Sequence, residues 1–183
     1  MLPSGSLVAV ADVTDPIRRQ RYRFQAVGED LHVEVWCAPG GDVPEHSHPR
    51  QRETWEVIGG DVTFWIDGRE RRATAGDRLV AEPGIGHRFI NTGATEAHLR
   101  VEVSPSLELQ AFLEGAAALA RAGAFDRRGL PRSLRQLPAL ADFALRFRHV
   151  TVIASPPVWL QDLLFPPLAR LHAHRSMTVR RPL

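Results

Sequence analysis

Between about residue 20 and residue 104, apolar and polar side chains alternate along short segments of the chain. Leu31, Val33 and Val35 alternate with polar residues before a turn-forming stretch at 39–42. Successive side chains of an extended strand point to opposite faces of a sheet. This pattern therefore predicts a strand with two distinct faces, ended by the turn.

Further short strands with the same alternation are predicted up to residue 104. They lie at 62–66, 69–74, 78–81, 88–91 and 97–103. Asp67-Gly68, between the first two, suits a tight hairpin turn that needs positive φ angles. Many short strands at close spacing predict an all-β core, arranged as a sandwich or a barrel.

Beyond Val103 apolar residues recur three and four positions apart, which is typical of helices. The first helix is expected to have Ser104 as its N-cap and Pro105 as its first residue. Gly123 is a natural C-terminal stop for it. Because the helix has one apolar face, we expect it to pack on the strands or on a partner subunit.

Two further helices are predicted after the first. One covers about 133–147 and is interrupted or kinked at Pro138. The other begins near residue 155 and is broken again at 166–167, where two prolines follow each other. No linker long enough to separate a second domain is visible.

Composition narrows the classes of protein to consider. The single cysteine, Cys37, excludes an intrachain disulfide and makes a reducing cytoplasm the expected compartment. We expect no secretory leader and no membrane span, because no apolar run approaches ~20 residues. All 23 basic residues are arginine, but acidic residues are interspersed and the net charge is only +2. We therefore expect neither a nucleic-acid nor a membrane partner.

The candidate chemistry begins with His46, His48 and Glu53. Two histidines two apart point to the same side of a strand, and Glu53 is far enough along the chain to return to that side. Two imidazoles and a carboxylate can bind Zn, Fe, Mn, Ni or Co. Alone, a His-x-His pair is more often a surface feature, so a second segment is needed to decide.

That second segment contains His87, and with it the chain resembles the cupin superfamily in both of the family's motifs. The first motif is met at every spacing by Gly40, His46, His48, Glu53 and Gly60. The second motif is met by Gly76, Gly84, His87 and Asn91. The departure is Glu82, where the family usually has proline, and it affects a turn and not a ligand.

The resemblance implies a cupin, or jelly-roll, β-barrel with a C-terminal α-helical extension. Its barrel is expected over residues 1–104, and the extension over 105–183 is expected to belong to the same structural unit. It implies one divalent metal ion, Fe, Mn, Ni or Zn, on His46, His48, Glu53 and His87. A homodimer is also expected, with the apolar extension contributing to the interface.

The ligand set is suited to catalysis. Three neutral imidazoles and one carboxylate leave a divalent ion a net charge of about +1, so it remains a Lewis acid with open positions for a small molecule. Glu53, which sets that charge, is the expected catalytic residue. We expect a metal-dependent enzyme acting on a small molecule, by oxygenase-type, dioxygenase-like chemistry or by isomerisation or cyclisation. The alternative is a non-catalytic cupin that binds a metal or a small ligand.

Strand parity also predicts the wall of the cavity. Trp55 and Val57 share the side of Glu53, and Phe89 and Asn91 share the side of His87. For Val57 and Phe89, ordinary barrel packing is the simpler interpretation.

Overall fold

The computed structural model describes residues 12–126 and 128–179, with side chains through residue 174. Its strands form two antiparallel sheets. The first has the order β1-β2-β3-β10-β5-β8, made of β1 Val13–Asp15, β2 Gln20–Val27, β3 Asp30–Cys37, β10 Ala97–Ser104, β5 Arg52–Gly59 and β8 Arg78–Ala81. The second has the order β11-β4-β9-β6-β7, made of β11 Val152–Ile153, β4 Asp42–Ser47, β9 His87–Asn91, β6 Val62–Ile66 and β7 Arg69–Ala73.

Inward-facing side chains of the two sheets form one hydrophobic core. Along β3 the odd-numbered residues from Leu31 to Cys37 are buried and the even-numbered ones are half-exposed, as the alternation predicts. Across the core, the rings of Trp55 and Phe64 lie 5.4 Å apart, centroid to centroid. The predicted all-β jelly-roll core with a helical C-terminal part is confirmed.

Two local backbone features follow from the residues that the sequence singles out. Asp67 and Gly68, between β6 and β7, have φ angles of 53° and 69°, as the predicted hairpin turn requires. Gly60 has a φ of 87°, and a Cβ there would lie 2.7 Å from the Cα of Ala97. Only glycine satisfies both conditions, which explains why this motif position needs it.

The first helix, α1, covers Leu109–Arg121. It does not begin at Ser104, because β10 continues through that residue, which pairs with Arg52 of β5. The Gln51 amide then donates to the carbonyls of Pro105 and Ser106, at 2.9 Å each, and keeps them out of the helix. The expected N-cap is therefore wrong. The stop at Gly123 is confirmed, with a φ of 73° just beyond the helix end.

The second helical region is a short 3₁₀ helix, Leu134–Gln136, followed by α2, Leu137–Arg146. Pro138 lies in the first turn of α2, where a missing N–H is tolerated, so it starts a helix and does not kink one.

The third helix, α3, covers Val158–Val179 and continues through Pro166 and Pro167. The expected break there is wrong. The two prolines withdraw hydrogen bonds from the carbonyls four residues earlier, and Asp162 and Leu163 are exposed, so water can replace the lost donors.

The extension packs on the strands through the same core. Leu109, Phe147 and Val150 are nearly fully buried and belong to the cluster formed by both sheets. Phe147 also contacts Phe112 and Phe143, with ring centroids 5.7 and 4.9 Å away. No helix in the described ranges is long and apolar enough to cross a membrane.

Candidate metal centre

Three strands and one loop bring the four predicted ligands together. His46 is near the end of β4 and pairs with His87, the first residue of β9. His48 follows β4 directly, and Glu53 is the second residue of β5. One donor atom from each of the four side chains lies within 4.8 Å of those from the other three. The cluster could therefore hold a metal ion.

Each imidazole is held through its Nδ1 atom by a backbone carbonyl. The Nδ1 atoms of His46 and His87 lie 2.9 Å from the carbonyls of Pro44 and Ile85. His48 Nδ1 lies 2.8 Å from the carbonyl of Val150. An Nδ1–H that donates to a carbonyl fixes the tautomer and leaves Nε2 as a free electron pair. His46 and His87 are thus prepared to coordinate through Nε2, whereas His48, whose Nε2 is hydrogen-bonded to Glu53, is prepared once that nitrogen has lost its proton.

The Nε2 atom of His87 shows most clearly that the cluster fits a metal ion. It is buried and makes no hydrogen bond, although Glu53 Oε2 is 3.0 Å away. His48 Nε2 is also 3.0 Å from the same oxygen, and these two atoms do form a hydrogen bond. A buried nitrogen without a partner costs on the order of 1–3 kcal/mol. Coordination to a metal ion would satisfy it, so the residues present fit the expected group.

The charges of the cluster suit a cation. Burial would raise the pKa of Glu53, but the neighbouring imidazoles of His48 and His87 outweigh it and hold that pKa well below its usual range. Burial, reinforced by the other two histidines, lowers the pKa of His46 to about 3. Burial would also lower the pKa of His48, but its hydrogen bond to Glu53 outweighs this and raises it. Without metal, the cluster therefore combines an ionised carboxylate with a readily protonated His48.

The four residues expected to line a cavity have different environments. The Trp55 ring lies 5.1 Å from that of His87, and its buried Nε1 makes no hydrogen bond. Val57 is 1% exposed, and Phe89 packs on Phe64 with centroids 5.4 Å apart. The Asn91 amide donates to the carbonyls of Cys37 and Thr95. Of the four, Trp55 is the one that contacts a candidate ligand.

A recess of about 220 Å³ lies beside His46. It is lined by β4, by the loop before β9 and by the extension, with the residues Glu45, His46, Ser47, Gly84, Gly86, Val152, Ile153, Ala154 and Val158. Below it, Trp55, Val57, Phe64 and Phe89 fill the space between the sheets, each at most 6% exposed. The recess therefore borders the cluster at His46, and the space between the sheets is filled by apolar side chains.

Sequence reasoning missed the part of the extension that supports this centre. β11 pairs with β4 at Ser47 and His46, and Val150 supports His48. Val150, Val152 and Ile153 are apolar residues about 100 positions from the histidines. They act through backbone atoms, and no side-chain pattern marks such a role.

The comparisons with known proteins agree with this architecture. Residues 33–104 match the family described as Cupin domain. A solved RmlC-like cupin from Shewanella frigidimarina is 22% identical, with a TM-score of 0.50 over 56% of this chain and 89% of that one. On its motifs, its sheets and this family match, residues 33–104 form a cupin domain.

The names of one sequence relative and one solved structure refer to oxalate. Barley (Hordeum vulgare) oxalate oxidase 1 is 32% identical over 108 residues, which are 54% of this chain and 50% of the relative. This chain therefore spans half the length of that protein. A solved structure from Thermotoga maritima, described as a predicted oxalate decarboxylase, is 19% identical with a TM-score of 0.47, over 56% of this chain and 97% of that one.

Proposed function

We propose that this cupin binds one divalent ion on His46, His48, Glu53 and His87 and uses it to transform a small molecule. The observation that carries the proposal is the buried Nε2 of His87, which has no hydrogen bond within a cluster of four converging donor atoms. The fixed Nδ1 atoms of all three histidines support it, since such second contacts orient metal ligands.

In this proposal each residue has a distinct task. The bound ion supplies Lewis acidity and open positions for a substrate. His46 and His87 donate neutral nitrogen, and Glu53 sets the charge of the centre. His48 gives up its proton to become a ligand. Trp55, whose indole N–H is buried and unbonded beside His87, is available to donate to a bound molecule.

The reaction type is proposed more broadly than the site. Oxygenase-type chemistry is favoured, with isomerisation and cyclisation as related possibilities. The similarity to barley oxalate oxidase 1 supports an oxidative reaction, although the matched segment is only half of that protein. The similarity supports the class of reaction but not the substrate. One fold hosts many chemistries, and the substrate depends on the residues of the site.

A non-catalytic binding module is the second candidate. The tight packing of Trp55, Val57, Phe64 and Phe89 favours it, because it leaves little room deeper in the fold for a substrate. The two candidates make the same prediction for metal content and differ in turnover.

Metal content is the first test. Purified protein should carry close to one divalent ion per chain by elemental analysis, and the double variant His46→Ala, His48→Ala should carry none while remaining folded. His98→Ala is the matched control, because His98 is bonded to Glu34 on the outer face of the first sheet. Equal metal in the double variant and the wild type would contradict the proposed site.

Turnover is the second test. Protein loaded with Fe, Mn, Ni or Zn is screened against small enols, phenols, keto acids and oxalate, following oxygen uptake and product mass. Product formation with one metal supports the enzyme. If the protein binds metal but no combination of metal and substrate gives turnover, the result supports the binding module instead.

We also propose a cytoplasmic homodimer. Helix α3 exposes Trp159 and Leu163, which are 68% and 65% exposed, and apolar residues grouped on one helix favour an interface. Light scattering should give twice the chain mass for the wild type and a monomer for Leu163→Glu.

A further inference from the structure

We propose that the recess beside His46 is a pocket that selects neutral or cationic small molecules over anionic ones, with Glu45 as the residue that selects charge. This inference rests on the proposed metal site, because the ligand is expected to reach the ion through the recess. It concerns the kind of molecule admitted, which the motifs do not determine.

One wall of the recess is built by the extension. Ile153 pairs with His46 in the second sheet, and the Ala154 N–H donates to the Glu45 carbonyl at 2.9 Å. The Gln161 amide, which is 4% exposed, donates to the carbonyls of Ile153 and Pro156. These bonds fix an apolar wall beside His46.

This wall lies outside the shared domain. The family match ends at residue 104, whereas Val152, Ile153, Ala154 and Val158 belong to the extension. The metal ligands are therefore family features and the wall is a feature of this chain. We therefore expect the residues of this wall to determine which ligands bind, so that the ligand preference can differ from that of the relatives.

The charge of the recess comes from one carboxylate. Apart from His46, Glu45 is the only ionisable residue among those that line it. Its Oε1 is 3.5 Å from where a Cβ would stand on Gly86, so the carboxylate lies at the rim. Two arginines close in sequence to the ligands are engaged elsewhere, since Arg52 pairs with Glu82 at 3.1 Å and Arg88 lies over Trp65.

Electrostatics then decides which ligands are favoured. The ion and Glu53 together carry a net charge of about +1, and the negative charge of Glu45 at the rim of the recess opposes it. An anion passing Glu45 is repelled and a cation is attracted, each by a factor of roughly three in affinity at ~7 Å in water. The recess is also smaller than the roughly 300–1,000 Å³ typical of drug-sized ligands. The expected ligand is therefore small, with a chelating group and an uncharged or positive remainder.

Three hydroxamates with the same chelating group test this preference. Acetohydroxamate has a neutral remainder, glycine hydroxamate a cationic one and malonomonohydroxamate an anionic one. Each is titrated into cobalt-loaded protein, and Kd is read from the visible cobalt bands. We expect the cationic probe to bind several-fold more tightly than the anionic one at low ionic strength, with the difference shrinking as salt is added.

Two pairs of variants assign the preference to the recess. Glu45→Gln should remove most of it, whereas Glu70→Gln, on β7, should not. Val158→Arg places a cation in the wall and should reverse the preference, whereas Ala173→Arg, on the same helix but outside the lining, should not. Val158 and Ala173 are both exposed, so both arginines are expected to be tolerated by the fold.

The outcomes separate this inference from the function on which it rests. Two results would contradict the proposed charge preference of the recess. One is tighter binding of the anionic probe by the wild type, and the other is an unchanged order of probe affinities in Glu45→Gln and Val158→Arg. Cobalt bands that no probe perturbs would also overturn it and leave the metal site standing. Failure to bind cobalt would overturn both.

Discussion

At the scale of single residues, Glu53 combines coordination with the control of charge. A metal that only supports the fold needs this carboxylate for affinity, whereas a catalytic ion also needs it to set the residual charge. Glu53→Gln keeps the size and one oxygen donor but raises the net charge of the centre from about +1 to about +2. The substitution therefore separates the two roles.

We expect Glu53→Gln, reconstituted with metal, to lose activity about 100-fold beyond its loss of metal occupancy. This corresponds to about 2.7 kcal/mol in the barrier, a typical effect of removing one positioned electrostatic group. Activity per bound metal is the quantity to measure, with the substrate identified in the turnover screen. Activity that simply follows occupancy would assign Glu53 to binding alone.

His48 makes metal binding sensitive to pH. Burial would lower its pKa, but its hydrogen bond to Glu53 outweighs this and raises it, so in the metal-free protein a proton competes for Nε2 at higher pH than in an ordinary histidine. Burial lowers the pKa of His46 to about 3, so His46 does not compete there. Metal affinity should fall as pH is lowered through the raised pKa of His48, approaching about tenfold for each unit below it. Isothermal titration calorimetry between pH 5 and 8 measures this, and a flat profile would contradict it.

At the scale of elements, strands were easier to predict than helix boundaries. Alternating burial repeats every two residues, so β3 and β10 are readable from their own side chains. The end of β10 is not, because Ser104 and Pro105 form an equally good helix start. The long-range partners Arg52 and Gln51 decide between strand and helix there. Local sequence does not contain that information.

The candidate site divides in the same way. Its four ligands lie in two spaced motifs, so the sequence predicts them by number. Their supports are carbonyl oxygens, which every residue has. Val150 and strand β11 therefore leave no signature in the sequence, even though they hold His48 and His46.

Thr151 offers a test of this support without disturbing the backbone. It is buried, and its Oγ1 is 3.3 Å from His48 Nδ1. Thr151→Val keeps the shape and removes the hydroxyl, so we expect metal affinity to fall about tenfold, the lower end for second contacts of ligands. Thr151→Ser should restore most of it and return the cobalt bands to their wild-type positions.

Thr63→Val is the matched control. Thr63 is equally buried, but it bonds Thr92 on the other side of the second sheet. It should leave metal affinity unchanged, and an equal loss in both variants would indicate general destabilisation instead of positioning.

At the scale of the whole molecule, the continuous core bears on the proposed division at residue 104. Leu109, Phe147 and Val150 are buried in the same cluster as Val33, and Val150 also supports a metal ligand. Neither part can lose its structure without exposing apolar surface of the other. This favours a single cooperative unit over two independent ones.

The last prediction is that the barrel and the extension unfold in one transition. Helix signal at 222 nm follows mainly the extension, and tryptophan fluorescence follows the barrel once Trp159→Phe has removed the exposed tryptophan of α3. We expect the two curves in urea to coincide, which is a standard test of two-state behaviour. Phe147→Ala, which leaves a cavity where the extension meets the core, should destabilise by about 3–5 kcal/mol and move both curves together. If the helix signal is lost first while the fluorescence curve keeps its midpoint, residues 1–104 fold on their own and the extension is a separate unit.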